Sequence, residues 1–176
     1  MKRRLLIALA VLALAAGGYL FLVRDSTVAP TLVPVEPTSV IGSGGDAVGV
    51  DPDGRLLTWL PAPEEGTLPR LPAPKAPEGQ SRLAGPMLEQ AVVLGATPPA
   101  LRPYVERSYY GESGVDVVLD SGIELRFGNS AQASRKWRAA ATLLADPAIT
   151  ALDSIDLHAP GRPSYEGSSH SRPPVP

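Results

Sequence analysis

The 176 residues include no cysteine, which excludes a disulfide framework, a thiolate nucleophile, a thiolate metal site and a cysteine-linked lipid. Histidine is scarce too: His158 and His170 are the only two, and the second falls in a Ser/Pro-rich stretch near the end. A metal centre built on histidine therefore lacks a second ordered ligand. A Ser-His-Asp arrangement would have to draw on His158 with Ser154 and Asp156, which share a strand face at i, i+2 spacing. No Gly-x-Ser-x-Gly turn exposes a hydroxyl beside an oxyanion hole, so no catalytic residue is expected. The cluster Gly42-Ser43-Gly44-Gly45 falls in a tether-like stretch rather than after a strand, where a phosphate-cradling loop would sit. A formal net charge of −2 leaves no clustered basic surface for nucleic acid. Asp116, Asp120, Asp153 and Asp156 are separated along the chain and read as solvated faces and turns. No cofactor, metal or small-molecule substrate is expected.

What the chain has in excess is proline (20 residues) and glycine (17), a high share for one packed domain, so part of it should be linker. Met1-Lys2-Arg3-Arg4 reads as a cytoplasmic stub before an uncharged, mostly apolar run from Leu5 to Val23. That run reaches roughly 28 Å as a helix, close to the ~30 Å hydrocarbon thickness of a bilayer. The three cations before it orient the amino terminus toward the cytoplasm. A cleaved signal is the competing reading, since Ala13-Leu14-Ala15 fits a cleavage pattern. The apolar run continues through Tyr19-Leu20-Phe21-Leu22-Val23, well past that site, which favours a single transmembrane helix over residues 5–23. Residues 24–46, with Pro30, Pro34, Pro37 and Ser-Gly-Gly, read as a flexible tether.

A folded domain is expected over 47–163. Ala47–Val50 and Arg55–Leu60 read as strands about the turn Asp51-Pro52-Asp53-Gly54. Asp51 and Asp53 resemble the opening of a calcium loop, but the closing position is Ala62, which cannot ligate, so the turn reading is preferred. Pro61–Gly79 reads as a stiff connector, with Leu68–Leu71 as a short edge strand. Its Pro74-Lys75-Ala76-Pro77 has the PxxP form without an expected reader. Ser81–Leu94 suits a helix with Leu88, Ala91, Val92 and Gly95 inward, and Pro98–Val105 a short helical turn. Alternation around Tyr109 and Tyr110 predicts one buried and one exposed.

The most regular stretch follows. Val115–Leu119 and Ile123–Phe127 flank Asp120-Ser121-Gly122 as a hairpin. Ser130 is positioned to cap a helix in which Ala133, Trp137, Ala140, Ala141 and Leu144 recur at helical spacing, up to Asp146-Pro147. Arg135, Lys136 and Arg138 form a small basic face, read as solvated rather than as a site for lipid headgroups or an acidic partner. Leu152–His158 reads as a strand with Leu152, Ser154, Asp156 and His158 on one face, and Asp153, Ile155 and Leu157 on the other. Residues 164–176 carry too little apolar content to order and read as a disordered tail. The predicted fold class is α+β: a transmembrane helix, then a small mixed or antiparallel sheet with helices packed on one face.

The order strand, turn, strand ending in Phe127-Gly128, helix with a central Lys136, and closing Ile155-Asp156-Leu157 resembles the C-terminal β domain of the FtsQ/DivIB family of single-pass bacterial cell-division proteins. The resemblance extends over about residues 47–163. Members usually carry a POTRA domain between membrane and β domain. Residues 25–46 are too few for one, since domains start near ~50 residues, so the resemblance implies a member without it. It further implies a non-enzymatic scaffold of the divisome, in the inner (plasma) membrane at the septum, with its domain outside the cytoplasm. Partners of the FtsB and FtsL type, small septal coiled-coil proteins, would bind by strand addition near the C-terminal edge. The positions implied are Ile155, Asp156, Leu157, His158, Arg162, Ser164 and Tyr165. Pro160 and Pro163 remove two backbone donors there, so the interface should be shorter or shifted. A different class remains open, an exported or membrane-anchored envelope enzyme or wall-binding module that shares only the sheet order.

Overall fold

In a computed structural model, the apolar alternation of the second half of the chain closes into one five-stranded sheet. The structure describes residues 34–173. The stub, the apolar run Leu5–Val23 and the first part of the tether lie outside the described residues. Among the described residues no helix is long and apolar enough to cross a membrane.

The compact unit begins at Val35, earlier than the sequence suggested. Ser39–Ile41 (β1) and Val48–Val50 (β2) pair antiparallel, so the end of the expected tether is folded. Thr38, Ser39, Val40 and Ile41 are buried, and Val40 exchanges backbone hydrogen bonds with the Pro69–Leu71 segment (3.0 and 2.8 Å). The glycine cluster thus does follow a strand, but it leads into a three-residue 3-10 turn, Gly44–Asp46, and offers no helix terminus. Leu68–Leu71 makes a single parallel bridge, Val40 to Arg70, rather than a strand of its own.

The turn after β2 is built around Asp51. Its Oδ1 accepts from the amides of Asp53 (2.9 Å) and Arg55 (2.8 Å), which spends the carboxylate on the turn itself. Gly54 adopts φ +78°, and a side chain there would run into Leu88 at 2.5 Å. The expected strand Arg55–Leu60 stops at Leu56. Leu60 donates back to Leu57 in a tight turn (3.1 Å) that leaves Trp59 67% exposed.

Helix α1, Gly85–Gly95, starts four residues later than the pattern suggested, with Pro86 in its first turn, where the missing amide costs nothing. Its buried face is Gln90, Ala91, Val93 and Leu94, rotated from the predicted stripe. Gln90 can be inside because its Oε1 accepts from the buried Ser108 hydroxyl (3.1 Å). A 3-10 turn, Arg102–Tyr104, then leads to the sheet.

The sheet runs β3 (Val105–Gly111), β4 (Gly114–Leu119), β5 (Glu124–Gly128), β6 (Ala151–Asp156) and β7 (Ser164–Ser171), in that order. Only β5 and β6 are parallel. Parallel neighbours need a crossover, and helix α2, Ala133–Ala145, supplies it. Val117, Leu125 and Ile155 lie opposite one another across β4, β5 and β6 and join a single core with residues of both helices. Trp137 of α2 sits at its centre, tilted against Phe127 at 5.0 Å and donating its indole N–H to the carbonyl of Val93 in α1 (2.7 Å).

Three expectations fail here for identifiable reasons. Ser130 does not cap α2; the cap position is Gln132, in the left-handed region at φ 58°, while the Ser130 amide donates to Glu89 Oε2 (2.6 Å). Lys136 does not belong to a solvated face. It is buried, and its ammonium donates to the carbonyls of Phe127 (2.7 Å) and Asn129 (2.9 Å) and to Asn129 Oδ1 (3.1 Å). Burial lowers its pKa, an effect opposed by the negative charges of Glu89 and Asp156. Finally, residues 164–173 are not a tail without order. β7 pairs antiparallel with β6, and Arg172 donates to the carbonyls of Leu144 and Asp146 at the end of α2 (2.7 Å each). Backbone pairing and a C-terminal cap order this segment, and neither leaves an apolar signature.

Replacing Lys136 by Met is expected to cost about 1–3 kcal/mol, because it strands buried acceptors at the β5–α2 junction. Arg135→Ala and Arg138→Ala should each change stability by no more than about 0.5 kcal/mol, as surface positions do. Urea denaturation of the three variants checks both.

Candidate partner-binding edge and open sheet face

The seven positions that the resemblance implied fall into three groups in the fold: the buried Ile155 and Leu157, the start of β7 with the turn before it, and Asp156 with His158, which bond each other. Ile155 and Leu157 are fully buried, and β6 is paired on both sides, with β5 and with β7. Both side chains are closed to a partner, and the Ile155 backbone is paired on both sides, while Leu157 lies just past β6 with its amide donating to the carbonyl of Arg126 (2.9 Å). The strand also departs from strict alternation: Leu152, Ile155 and Leu157 all enter the core, and a register slip separates Leu152 from Ser154. Ser164 and Tyr165 begin β7, which is the outer strand, and Arg162 lies in the turn that precedes it, its amide donating to the carbonyl of Ala159 (2.8 Å).

β7 is exposed along almost all of its length, and among the described residues no strand pairs with its outer side. The slip divides it. Leu152 pairs with His170, but Ser154 pairs with Glu166, so Gly167, Ser168 and Ser169 bulge opposite Asp153 alone. Asp153 fixes the bulge by accepting from the Ser169 amide (2.8 Å) and hydroxyl (3.2 Å), and these bonds hold its carboxyl below the usual range. Gly167 is required there: its φ is +83°, and a Cβ would lie 1.9 Å from an Asp153 oxygen. A straight run of edge therefore remains at Ser164–Glu166, with a second, shorter one at His170–Ser171. His170 is ordered with it, its ring lying over Gly122.

The sheet face away from the helices carries charge. One row across it is Tyr109, Asp116, Arg126, Asp156 and Ser164. Both tyrosines of β3 are partly exposed, 36% for Tyr109 and 47% for Tyr110, so neither is core. Tyr109 donates its hydroxyl to Glu124, and that bond, with burial and nearby negative charge, pushes its pKa up to about 12. The same bond holds Glu124 low against burial, helped by Arg126 (Nε to Oε2, 3.0 Å). Asp116 is nearly buried and its Oδ1 has no partner; burial raises its pKa, Glu124 raises it further, and Arg126 and His158 oppose the rise. Burial also pushes Asp156 upward, but its bonds to the amide and ring of His158 (2.9 and 2.8 Å), with Arg126 nearby, hold it low overall. His158 is thereby committed: one ring nitrogen meets Asp156 and the other lies 3.4 Å from the carbonyl oxygen of Ser113. Among the described residues no group of three or more His, Asp or Glu side chains could hold a metal ion.

The geometry is that of an α+β domain whose mixed sheet ends in an exposed, C-terminal edge strand. Its sequence matches the family model for the C-terminal domain of the cell division protein FtsQ/DivIB over residues 40–158, more than half of the chain. The chain belongs to the FtsQ/DivIB family, which places it in cell division. No curated protein matches it. The matched residues end at His158, so β7 lies beyond them.

A carboxyl that titrates higher in the fold than in the unfolded chain costs stability once it ionises. The penalty is absent below the ordinary aspartate value near ~3.9 and complete above the raised folded value. Asp116→Asn should therefore raise the urea midpoint at pH 7, and the gain should shrink to nothing by pH 3.

Proposed function

We propose that this chain is a non-enzymatic, single-pass membrane scaffold of the divisome that takes an extended segment of a partner onto the free edge of β7. The observation that carries the proposal is the edge itself: Ser164–Glu166 is paired on one side only, next to a fixed Asp156–His158 corner. Main-chain donors and acceptors supply affinity in strand addition, and the side chains that alternate along the edge supply selection. Tyr165, 48% exposed, is the large side chain on that stretch. The bulge at Gly167–Ser169 stops a partner strand from running the whole edge, the same device that protects edges from promiscuous pairing. Small septal coiled-coil proteins of the FtsB and FtsL type are the partners that family membership supports. The anchor is the run Leu5–Val23, with the amino terminus in the cytoplasm and the β domain outside it at the septum.

A photo-crosslinking side chain at Tyr165, in the full chain in dividing cells, should give an adduct with a membrane-bound division protein. Arg135→Glu with Arg138→Glu should leave that adduct at least about half as abundant, because exposed charges contribute little even where, as at Arg135 beside Gly161, they lie near the turn before β7. Loss of the adduct in the double variant, or adducts from α2 positions in place of Tyr165, would move the interface to the helix.

A further inference from the structure

Among the described residues, the most exposed large apolar side chain is not on the sheet. Trp59, 67% exposed, tops the loop Thr58–Ala62, five consecutive exposed residues without a charge. Leu60 beside it is 37% exposed, and Val35, at the very start of the unit, is 51% exposed. The two stretches come together over β2: a Cβ built on Gly49 would touch Pro37 at 2.9 Å and Pro63 at 3.5 Å. The loop therefore emerges on the side where the chain enters the domain.

We infer that the Trp59–Leu60 loop, with Val35, dips into the lipid–water interface of the membrane. The inference rests on the reading of Leu5–Val23 as an anchor. Residues 24–34 join that run to Val35, and fully extended they span at most about 40 Å, less if bent. A tether of that length lets the loop reach the surface of the bilayer that the anchor would occupy. Tryptophan prefers that interface, where its ring is solvated at one edge and apolar at the other. Leu60 and Val35 add apolar contact, and Pro61 and Pro63 stiffen the loop, so little conformational freedom is lost on insertion. Charge selects the lipid chemistry. Glu36, Glu64 and Glu65 flank the loop and are exposed. Glu65 is paired with Arg70 (3.3 Å), and the repulsion of Glu36 and Glu64 from anionic headgroups makes this an apolar contact with zwitterionic lipid, unlike a basic patch that seeks acidic lipid.

The chain has two tryptophans, and Trp137 is fully buried in the core, so emission that responds to a quencher outside the protein reports on Trp59. The full-length chain would be reconstituted into phosphatidylcholine vesicles, floated on a density gradient, and quenched with lipids brominated near the carbonyl end or with aqueous acrylamide. The inference expects flotation, strong quenching by brominated lipid and weak quenching by acrylamide, with the lipid quenching lost in Trp59→Phe. Chain that floats, yet shows Trp59 open to acrylamide and blind to brominated lipid, would overturn the inference while leaving the anchor intact. Chain that fails to float would sink both. A Trp59→Phe chain that still floats shows that the anchor, not the loop, holds the protein to lipid.

Discussion

The fold depends on one buried cation. Lys136 reaches back from the first turn of α2 to the end of β5, where its ammonium holds the carbonyls of Phe127 and Asn129 and the Asn129 side chain. Those acceptors lie at the end of β5 and just past it, beyond Arg126, where the registered pairing with β6 ends. Fixing that exit fixes the direction of α2, and Trp137, one residue on, then locks the helix against Phe127 and the carbonyl of Val93. A crossover held this way returns the chain as β6, parallel to β5, and β7 can then only add outside it.

The two sides of the sheet serve different ends. The helix side is a continuous apolar core, and its energy comes from burial and close packing. The open side is a lattice of opposed charges in which each carboxylate is spent differently. Glu124 is held by Tyr109 and Arg126, Asp156 by His158, and Asp116 is left with an unpartnered oxygen. Such a surface adds little to stability, but it fixes the side chains beside the edge in place. A rigid border is what a strand-adding partner needs, since its own segment must lose conformational freedom on binding.

Much of this was legible in the residues. The hairpin β4–β5, the helix Ala133–Ala145 and the strand after it follow from periodicity that the core merely confirms. The turn at Asp51–Gly54 follows from its chemistry. Lys136 was misread because a charged residue among arginines looks solvated, and its acceptors are backbone carbonyls that no pattern displays. β7 was missed for a related reason: Ser164–Ser171 has no apolar face, because an edge strand held by its ladder, by Asp153 and by Arg172 does not need one. Strand β1 was hidden by the prolines and glycines around it, which mark a linker unless neighbouring segments supply hydrogen bonds. The implied contact positions inherited the same gap, since Ile155 and Leu157 look like an edge only while β7 is absent.

The central claim, that β7 receives a partner strand, is tested most directly by amide hydrogen exchange on the full-length protein, alone and in its purified division complex. The account predicts that outward-facing amides within Ser164–Glu166 exchange quickly in the free chain and become strongly protected in the complex, while α2 changes little. Unchanged exchange along β7, with new protection on α2 or at the β3 edge, would contradict it.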